Sequence, residues 1–223
     1  MLMVLLYPLT IIIVSIIILL ILYRVTKSFS IEAFLIGIGL LILTLIIQPP
    51  IQQLPILLLR INPEASIYTL ILVLFYAALV SGFLQELLKL IGVRGKNIVY
   101  ALWLGAGFGF GEASLVVLNQ FMNMLAGVNI PLFLGLVSCY ERFIVLLYHV
   151  FSATLLLQYY IRGRVLFIYI VIALTHSLMN YQAVLLIKLY GLSLPVLLIV
   201  YSVISVVVLF LYTIYRQGMK RLG

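Results

Sequence analysis

The chain opens with an uncharged apolar stretch, Leu2–Tyr23, which reads LMVLLYPLTIIIVSIIILLILY. A helix that crosses the roughly 30 Å hydrocarbon core of a bilayer needs about 20 such residues. The stretch is longer than the apolar core of a secretory signal peptide, no basic residue precedes it, and no small-residue cleavage site follows it. We therefore interpret it as a retained first transmembrane helix.

The whole chain has the same apolar character. Of its 223 residues, 66% are hydrophobic and 8% are charged, whereas an average soluble domain is about 45–50% apolar and about 25% charged. This composition excludes an ordinary soluble fold, because too little polar surface is available to cover one in water. The net charge is +8, but the basic residues lie in short gaps between apolar runs, which argues against a nucleic-acid partner. Cys139 is the only cysteine, so no intrachain disulfide or thiolate metal cluster can form.

Seven segments are long and apolar enough to span a membrane. They are Leu2–Tyr23, Ile31–Ile47, Ser66–Ile91, Ile98–Phe121, Leu132–Tyr160, Val165–Leu189 and Val196–Tyr215. Ser30 is positioned to cap the second helix, and Pro49-Pro50 is expected to stop it. The stretch from Ile51 to Arg60 is too short to span and is expected at the interface or in a short helix. Turns are expected at 92–97, 127–131, 162–164 and 191–195. The sequence therefore predicts an all-α, polytopic membrane protein that forms a single integral membrane domain over residues 1–223.

The basic residues indicate an orientation. One set of helix ends carries ten of them, namely Arg24, Lys27, Lys89, Arg94, Lys96, Arg162, Arg164, Arg216, Lys220 and Arg221. The opposite set carries two, Arg60 and Lys188. Because cytoplasmic loops carry an excess of Lys and Arg, we expect a multi-pass protein of the cell membrane with its N-terminus outside and its C-terminus in the cytoplasm.

Polar residues inside the predicted spans are the most informative feature. A charge near the middle of a spanning helix costs at least about 2.5–3.5 kcal/mol on insertion scales, so such residues pair or have a function. The spans contain Glu86, Lys89, Glu112, Glu141, Arg142, His149 and His176. All of them lie on helices three to six, whereas the first, second and seventh spans have almost nothing polar inside. We therefore predict a polar site buried among helices three to six, with the other helices as lipid-facing support.

The spacing of these residues places several on shared helix faces. Glu86 and Lys89 are three residues apart and can pair. His149 and His176 both lie eleven residues from the cytoplasmic ends of their predicted helices, at a depth of roughly 17 Å. On the fourth helix, Gly105 and Gly109 continue the stripe of Glu112. Small residues at this spacing let backbones approach closely, which would place the Glu112 carboxylate against another helix.

Purely structural roles compete with a function for some of these residues. Lys89 lies near a helix end and could extend its side chain to the interface, with Glu86 as its salt-bridge partner. Glu141 and Arg142 could form a structural pair with each other or with Glu112. A lone buried cysteine is usually a small hydrophobic residue, and Cys139 as a nucleophile is the less favoured alternative.

In chain order the polar residues form four blocks, each on its own helix. They are Gln85-Glu86-Leu87-Leu88-Lys89, Gly107-Phe108-Gly109-Phe110-Gly111-Glu112-Ala113, Glu141-Arg142 with His149, and His176-Ser177-Leu178-Met179-Asn180. This order resembles the PrsW and YhfC groups of intramembrane peptidases, which are relatives of the CAAX prenyl endopeptidases and the bacteriocin-processing membrane proteases. The resemblance covers about 110 residues, from Ser81 to Leu189, and indicates a peptidase-like core at about 66–189.

The resemblance implies a membrane endopeptidase that cleaves a peptide bond with a water activated by Glu and His. It assigns Glu86 and His149 to water activation, His176 to a further ligand or oxyanion donor, and Asn180 to oxyanion stabilisation. Glu112 would be a second carboxylate, and Gln85, Lys89, Glu141 and Arg142 would support the site. A bound zinc ion held by His149, His176 and Glu86 or Glu112 is an open alternative. The implied partners are a membrane-embedded or membrane-proximal protein or peptide substrate and the lipid bilayer.

One departure from that pattern raises other functions. The family's first block begins with two Glu residues, and the first of them is assigned to water activation. That position is Gln85 here, and an amide cannot act as a base. Either Glu86 performs the reaction, or the chain is an inactive scaffold that binds a membrane partner. A proton-coupled transporter is a third possibility, because buried Glu and His residues also form proton relays.

Overall fold

The computed structural model describes the backbone of residues 2–63, 65–128 and 132–220 and the side chains of residues 8–63, 65–128 and 137–216. Within these residues the chain is all-helical. The helices are α1 (Leu2–Thr26), α2 (Ile31–Leu59), α3 (Ile67–Val93), α4 (Ile98–Leu125), α5 (Leu132–Ile161), α6 (Val165–Tyr190) and α7 (Leu194–Lys220). All seven are long and apolar enough to cross a membrane, which confirms the predicted polytopic helical fold. Part of the turn predicted at 127–131, and Arg221, lie outside the described residues.

Helix α2 differs most from its prediction. Ser30 caps its first turn as expected, because its side-chain oxygen accepts a hydrogen bond from the backbone N–H of Ala33. The helix does not stop at Pro49-Pro50, however, and continues to Leu59 with both prolines and Pro55 inside it. The predictions of a stop at 49–50 and of a separate segment from Ile51 onwards are therefore wrong. Gln48 and Gln52 consequently lie within a membrane-spanning helix.

A tertiary hydrogen bond from α3 compensates for Pro55, one of the three prolines inside α2. Pro55 has no N–H, so the carbonyl oxygen of Ile51, four residues earlier, loses its helical donor. The hydroxyl of Tyr76 donates to that oxygen at 3.0 Å. The side-chain Nε2 of Gln52 in turn donates to the carbonyl oxygen of Ala77 at 2.7 Å. Neighbouring helices commonly satisfy the backbone groups that proline frees in membrane helices, and α3 does so here.

Glycines on α4 allow two helices to approach its backbone. A side-chain carbon at Gly105 would collide with the carbonyl oxygen of His149 on α5, and one at Gly109 would lie 3.0 Å from Cα of Leu146. On the neighbouring face, a side-chain carbon at Gly107 would collide with the carbonyl oxygen of Phe34 on α2. The prediction that the glycine stripe faces another helix is thus confirmed, and a second glycine face packs against α2.

Helices α4 and α5 form the centre of the bundle. Their membrane-spanning windows are the most buried of the seven, because α1, α2, α3, α6 and α7 each pack against one or both of them. Two contacts show that three connections lie at the same end of the bundle: those between α1 and α2, between α3 and α4, and between α5 and α6. The indole of Trp103 donates to the carbonyl oxygen of Ser28 at 2.8 Å, and Nε of Arg94 donates to the hydroxyl of Tyr160 at 3.0 Å. The predicted grouping of helix ends is therefore present in the fold.

Candidate functional site

Four helices bring their charged and imidazole side chains to one place in the middle of the bundle. We call these residues the central cluster: Glu86 and Lys89 on α3, Glu112 on α4, His149 on α5 and His176 on α6. The two imidazole ring centroids lie 5.5 Å apart. The site predicted among helices three to six is therefore assembled by the fold.

Lys89 lies at the centre of this cluster, with no exposed side-chain surface. Its Nζ donates to Oε1 of Glu86 at 2.7 Å and to Oγ of Ser152 at 2.7 Å, and lies 2.9 Å from Nδ1 of His149. These three acceptors match the three hydrogens of an ammonium group. The favoured prediction, that the Lys89 side chain extends to the interface, is wrong. Lys89 therefore does not count among the basic residues at the helix ends, and their number at that end falls from ten to nine.

His149 uses both ring nitrogens. Because a lysine ammonium can only donate, Nδ1 accepts from Lys89 and Nε2 carries the ring hydrogen. That Nε2 lies 3.0 Å from Oε2 of Glu112, to which it donates. The geometry therefore specifies one neutral tautomer of His149, held between an ammonium and a carboxylate.

Glu86 and His176 form the second acid–imidazole pair. Nδ1 of His176 lies 2.7 Å from Oε1 of Glu86, the same oxygen that accepts from Lys89. The other oxygen, Oε2, is buried and has no hydrogen-bond partner among the described residues. A buried carboxylate oxygen without a donor is costly, so a water or a substrate group could satisfy this atom.

Aromatic rings enclose the cluster. The ring of Tyr148 stands edge-on to both His149 and His176, with centroids 5.6 and 5.1 Å away. The ring of Phe108 lies 4.8 Å from that of His149. Nζ of Lys89 is 5.3 and 5.5 Å from the centroids of Phe108 and Tyr148, a range in which ring faces attract cations. These rings replace water around the ammonium.

Arg142 and Glu141 extend the cluster towards α7. Arg142 pairs with Glu141, and its Nη1 lies 3.8 Å from Oε2 of Glu112. The hydroxyl of Tyr201 on α7 donates to Oε2 of Glu141 at 3.3 Å. Both structural pairings considered for Glu141 and Arg142 are present together, and Glu112 thereby receives a cationic neighbour beside the neutral ring of His149.

Asn180 and Gln85 lie beside the cluster and do not join it. Nδ2 of Asn180 donates to Oγ of Ser81 at 2.8 Å. Nε2 of Gln85 donates to the same oxygen and to Oε1 of Gln48, both at 3.2 Å. Asn180 is nevertheless only one helical turn from His176, and Gln85 is adjacent to Glu86 in the chain.

Asn180 and Gln48 border a cavity of about 290 Å³ between α2, α3 and α6, which we call the lateral crevice. Its polar lining residues are Gln48, Gln52, Ser81 and Asn180, and its apolar lining residues are Leu74, Ala77, Ala78, Ala183 and Val184. Val184 is 50% exposed, so the crevice is reached from outside the bundle. Counted along the helices at about 1.5 Å per residue, it lies in the middle of the span and on the side of Arg60.

The arrangement does not fit the zinc alternative. No group of three His, Cys, Asp or Glu side chains among the described residues is placed to hold a metal ion. The position between Glu86 and His149 is filled by the Lys89 ammonium, and both nitrogens of His149 already have partners. A divalent ion there would lie against a fixed positive charge.

Among the described residues, Cys139 makes no hydrogen bond to a carboxylate or an imidazole. Its thiol donates to Oγ1 of Thr10 on α1 at 3.0 Å. The contact is that of a small, half-buried polar group between two helices. The nucleophile alternative gains no geometric support from it.

Several neighbours of the cluster were not predicted from the sequence. Ser152 follows His149 by three residues and Tyr148 precedes it by one, so the helical period could have indicated Ser152. Ser81 precedes Gln85 by four residues on the same face, but an isolated serine in a helix is common and gives no signal. Gln48 and Gln52 were missed because the second helix was expected to end before them.

Comparisons with protein-family models, with curated proteins and with solved structures found no match.

Proposed function

We propose that the protein is an intramembrane endopeptidase that hydrolyses a peptide bond with a water activated by Glu86. The observation that carries the proposal is the buried oxygen Oε2 of Glu86, which has no hydrogen-bond partner among the described residues. It belongs to a carboxylate whose other oxygen is fixed by Lys89 and His176. A positioned carboxylate with one open oxygen is what a general base for water requires.

The proposed reaction begins with a water hydrogen-bonded to Oε2 of Glu86. The carboxylate takes one proton from this water while the hydroxide oxygen forms a bond to the substrate carbonyl carbon. The carbon–nitrogen bond then breaks, and the proton passes from Glu86 to the leaving amine. The products are a carboxylic acid and an amine, so no other reactant is needed.

The neighbouring groups have separate roles in this proposal. His176 holds the Glu86 carboxylate through Nδ1, and the Lys89 ammonium supplies positive charge where the transition state becomes negative. His149, a co-activator of water according to the resemblance, has both nitrogens engaged, so we assign it to positioning Lys89. Asn180, one turn from His176, is the candidate oxyanion donor.

Access to the base requires a helix movement. Glu86 and Lys89 have no exposed side-chain surface, so water and substrate reach Oε2 only if neighbouring helices separate. Helices α3 and α6 are the candidates, because the lateral crevice already opens between them beside Ser81 and Asn180. Exclusion of bulk water in the closed state would strengthen the electrostatic interactions inside the site.

We also propose that the N-terminus lies outside and the C-terminus in the cytoplasm. With Lys89 buried, nine basic residues remain at one set of helix ends and two at the other. The test is labelling with a membrane-impermeant maleimide in intact cells, in a Cys139→Ser background. Leu192→Cys should react and Lys96→Cys should not. The reverse pattern would overturn the orientation.

A proteolysis experiment tests the main proposal. Membranes of host cells that express the wild type or the Glu86→Gln variant are compared by mass spectrometry of new protein N-termini. Glu86→Gln keeps the shape of the side chain and removes the base, so cleavages made by the wild type should disappear. Glu32→Gln is the matched control, because Glu32 is exposed and pairs with Lys96 away from the central cluster. Cleavages that persist in Glu86→Gln would refute the proposal.

A second candidate is a non-catalytic protein that binds a membrane partner. It is favoured by the complete engagement of Lys89 and His149, together with the amide of Gln85 where the resembled family has its first Glu. A fully hydrogen-bonded ion network of this kind can also serve to fix a fold. The candidate predicts that Glu86→Gln expressed at the wild-type level retains the biological function.

A further inference from the structure

The lateral crevice is polar although it lies within membrane-spanning helices. Three amide side chains from two helices border it, namely Gln48 and Gln52 on α2 and Asn180 on α6, with the hydroxyl of Ser81 on α3 between them. Amides that face hydrocarbon without hydrogen bonds are costly, and polar residues in spanning helices usually line a pathway or a site. The crevice therefore presents polar groups that a purely hydrocarbon neighbour would leave without hydrogen bonds.

In each amide group, either the oxygen or the nitrogen forms a hydrogen bond within the protein, and the other atom is available. Nε2 of Gln52 donates to Ala77, and Nδ2 of Asn180 donates to Ser81. Oε1 of Gln48 accepts from Gln85. Among the described residues, the opposite ends have no such bond. They are Oε1 of Gln52 and Oδ1 of Asn180, which are acceptors, and Nε2 of Gln48, which is a donor.

A fourth polar atom near the crevice also lacks a partner among the described residues. Oε1 of Gln85 is buried and has no hydrogen bond, although Nε2 of the same amide contacts two lining residues. Gln85 is 7% exposed. A buried, unused acceptor therefore lies on a residue that contacts two lining residues of the crevice and directly precedes the proposed base, Glu86.

The ligand that matches these groups is a peptide backbone. The lining residues carry no charge, so the crevice lacks the Lys or Arg that a phosphate headgroup would need and the carboxylates that a cation would need. Available acceptors and a donor complement the N–H and C=O groups of an extended chain. The N–H and C=O groups of a helical segment bond to one another, so only an unwound stretch could form hydrogen bonds with the crevice.

We propose that the lateral crevice binds a short unwound stretch of another transmembrane segment through Gln48, Gln52 and Asn180. The inference rests on the proposed function, of which it specifies the substrate class: a membrane segment that carries a helix-breaking sequence. The cavity of about 290 Å³ is at the lower end of ligand-site volumes, which suits a few backbone units. Asn180 is one turn from His176, so the bound backbone would run towards Glu86.

The test measures binding without catalysis. Protein with Glu86→Gln, Cys139→Ser and Leu72→Cys carries a nitroxide on the exposed position 72 of α3 and is reconstituted in nanodiscs. The probe is a synthetic single-span peptide of Leu and Ala with Lys ends, a central Pro-Gly pair and one nitroxide. Electron spin resonance should give a short, narrow distance distribution. The same peptide without Pro-Gly should give a broad one.

Substitution of the crevice amides provides the decisive comparison. Gln48→Leu with Gln52→Leu should weaken association about tenfold, the effect of losing two hydrogen bonds. Gln120→Leu, the same change on α4 away from the crevice, should leave it unchanged, and retention of the wild-type melting temperature in each variant excludes misfolding. Equal binding of both peptides, or unchanged binding in the double variant, would overturn the inference.

Two further outcomes distinguish a peptide site from a lipid site and separate this inference from the peptidase proposal. If spin-labelled phosphatidylcholine is immobilised near position 72 and the peptide does not displace it, the crevice is a lipid site and the inference is overturned. If peptide cleavage by the wild type depends on Glu86 and is insensitive to the crevice substitutions, the proposed function stands and only this inference fails. Binding of the Pro-Gly peptide without any cleavage would support the inference and refute the peptidase.

Discussion

Nζ of Lys89 lies 2.9 Å from Nδ1 of His149, deep inside the bundle. The ammonium donates to the neutral imidazole, and Glu86, which accepts from the same ammonium at 2.7 Å, balances its buried charge. Lys89 thus joins α3 to α5 through His149 and Ser152. The residue that looked most like a membrane-surface lysine is the centre of the polar site.

Replacement of Lys89 by Met should therefore be strongly destabilising. The variant removes three hydrogen bonds and leaves the Glu86 carboxylate buried without its cation, a type of loss that costs about 3–5 kcal/mol. The measurement is the free energy of unfolding in detergent. The control is Lys96→Met, because Lys96 makes an exposed pair with Glu32 at 3.5 Å and should lose less than about 1 kcal/mol. Similar losses in both variants would contradict the central role of Lys89.

The tautomer of His149 can be observed directly. Because the Lys89 ammonium donates to Nδ1, the ring hydrogen should reside on Nε2, where it is donated to Glu112. Solid-state nitrogen NMR should show a neutral ring with an unprotonated Nδ1, assigned by loss of the signals in His149→Gln. A protonated Nδ1 would show that the contact with Lys89 is not made as described.

The contact between α4 and α5 should tolerate no side chain at Gly105. An added methyl group would collide with the carbonyl oxygen of His149, and overpacking of this kind costs about 1–3 kcal/mol. Gly39→Ala is the matched control, because a side-chain carbon there meets nothing within 4 Å. Gly39→Ala should leave the free energy of unfolding unchanged or raise it by about 0.5–1 kcal/mol, because alanine has the higher helix propensity. The prediction fails if Gly105→Ala unfolds at the same denaturant concentration as Gly39→Ala.

The continuation of α2 through Pro55 should depend on Tyr76. Tyr76→Phe removes the donor to the carbonyl oxygen of Ile51 and should cost about 1 kcal/mol, as interhelical hydrogen bonds in membranes do. Pro55→Ala restores a backbone N–H that can bond to that oxygen. Tyr76→Phe should therefore cost less in the Pro55→Ala background than alone. A double-mutant cycle with no coupling would show that the hydroxyl does not compensate for the proline.

The misinterpreted prolines had a wider consequence for the predicted site. Pro49-Pro50 favours a helix end on local grounds, and no local pattern reveals that α2 continues past these prolines to Leu59. Ending the helix at Ile47 removed Gln48 and Gln52 from the predicted spans. The second helix was consequently interpreted as lipid-facing support, whereas it borders the lateral crevice and contacts Gln85.

The amino-acid sequence by itself determined the seven helices, their grouping by ends and the four helices that carry the polar groups. These properties follow from runs of apolar residues and from the cost of burying charge, both of which are local or additive. Only the tertiary structure decided that Glu112 pairs with His149, that Glu86 pairs with His176, and that Lys89 lies between them. Such pairings depend on the rotation and tilt of each helix, which are set by close packing such as that at Gly105. The uncharged stretch Leu2–Tyr23 specifies a membrane helix, but no property of one helix specifies which partner its polar groups meet.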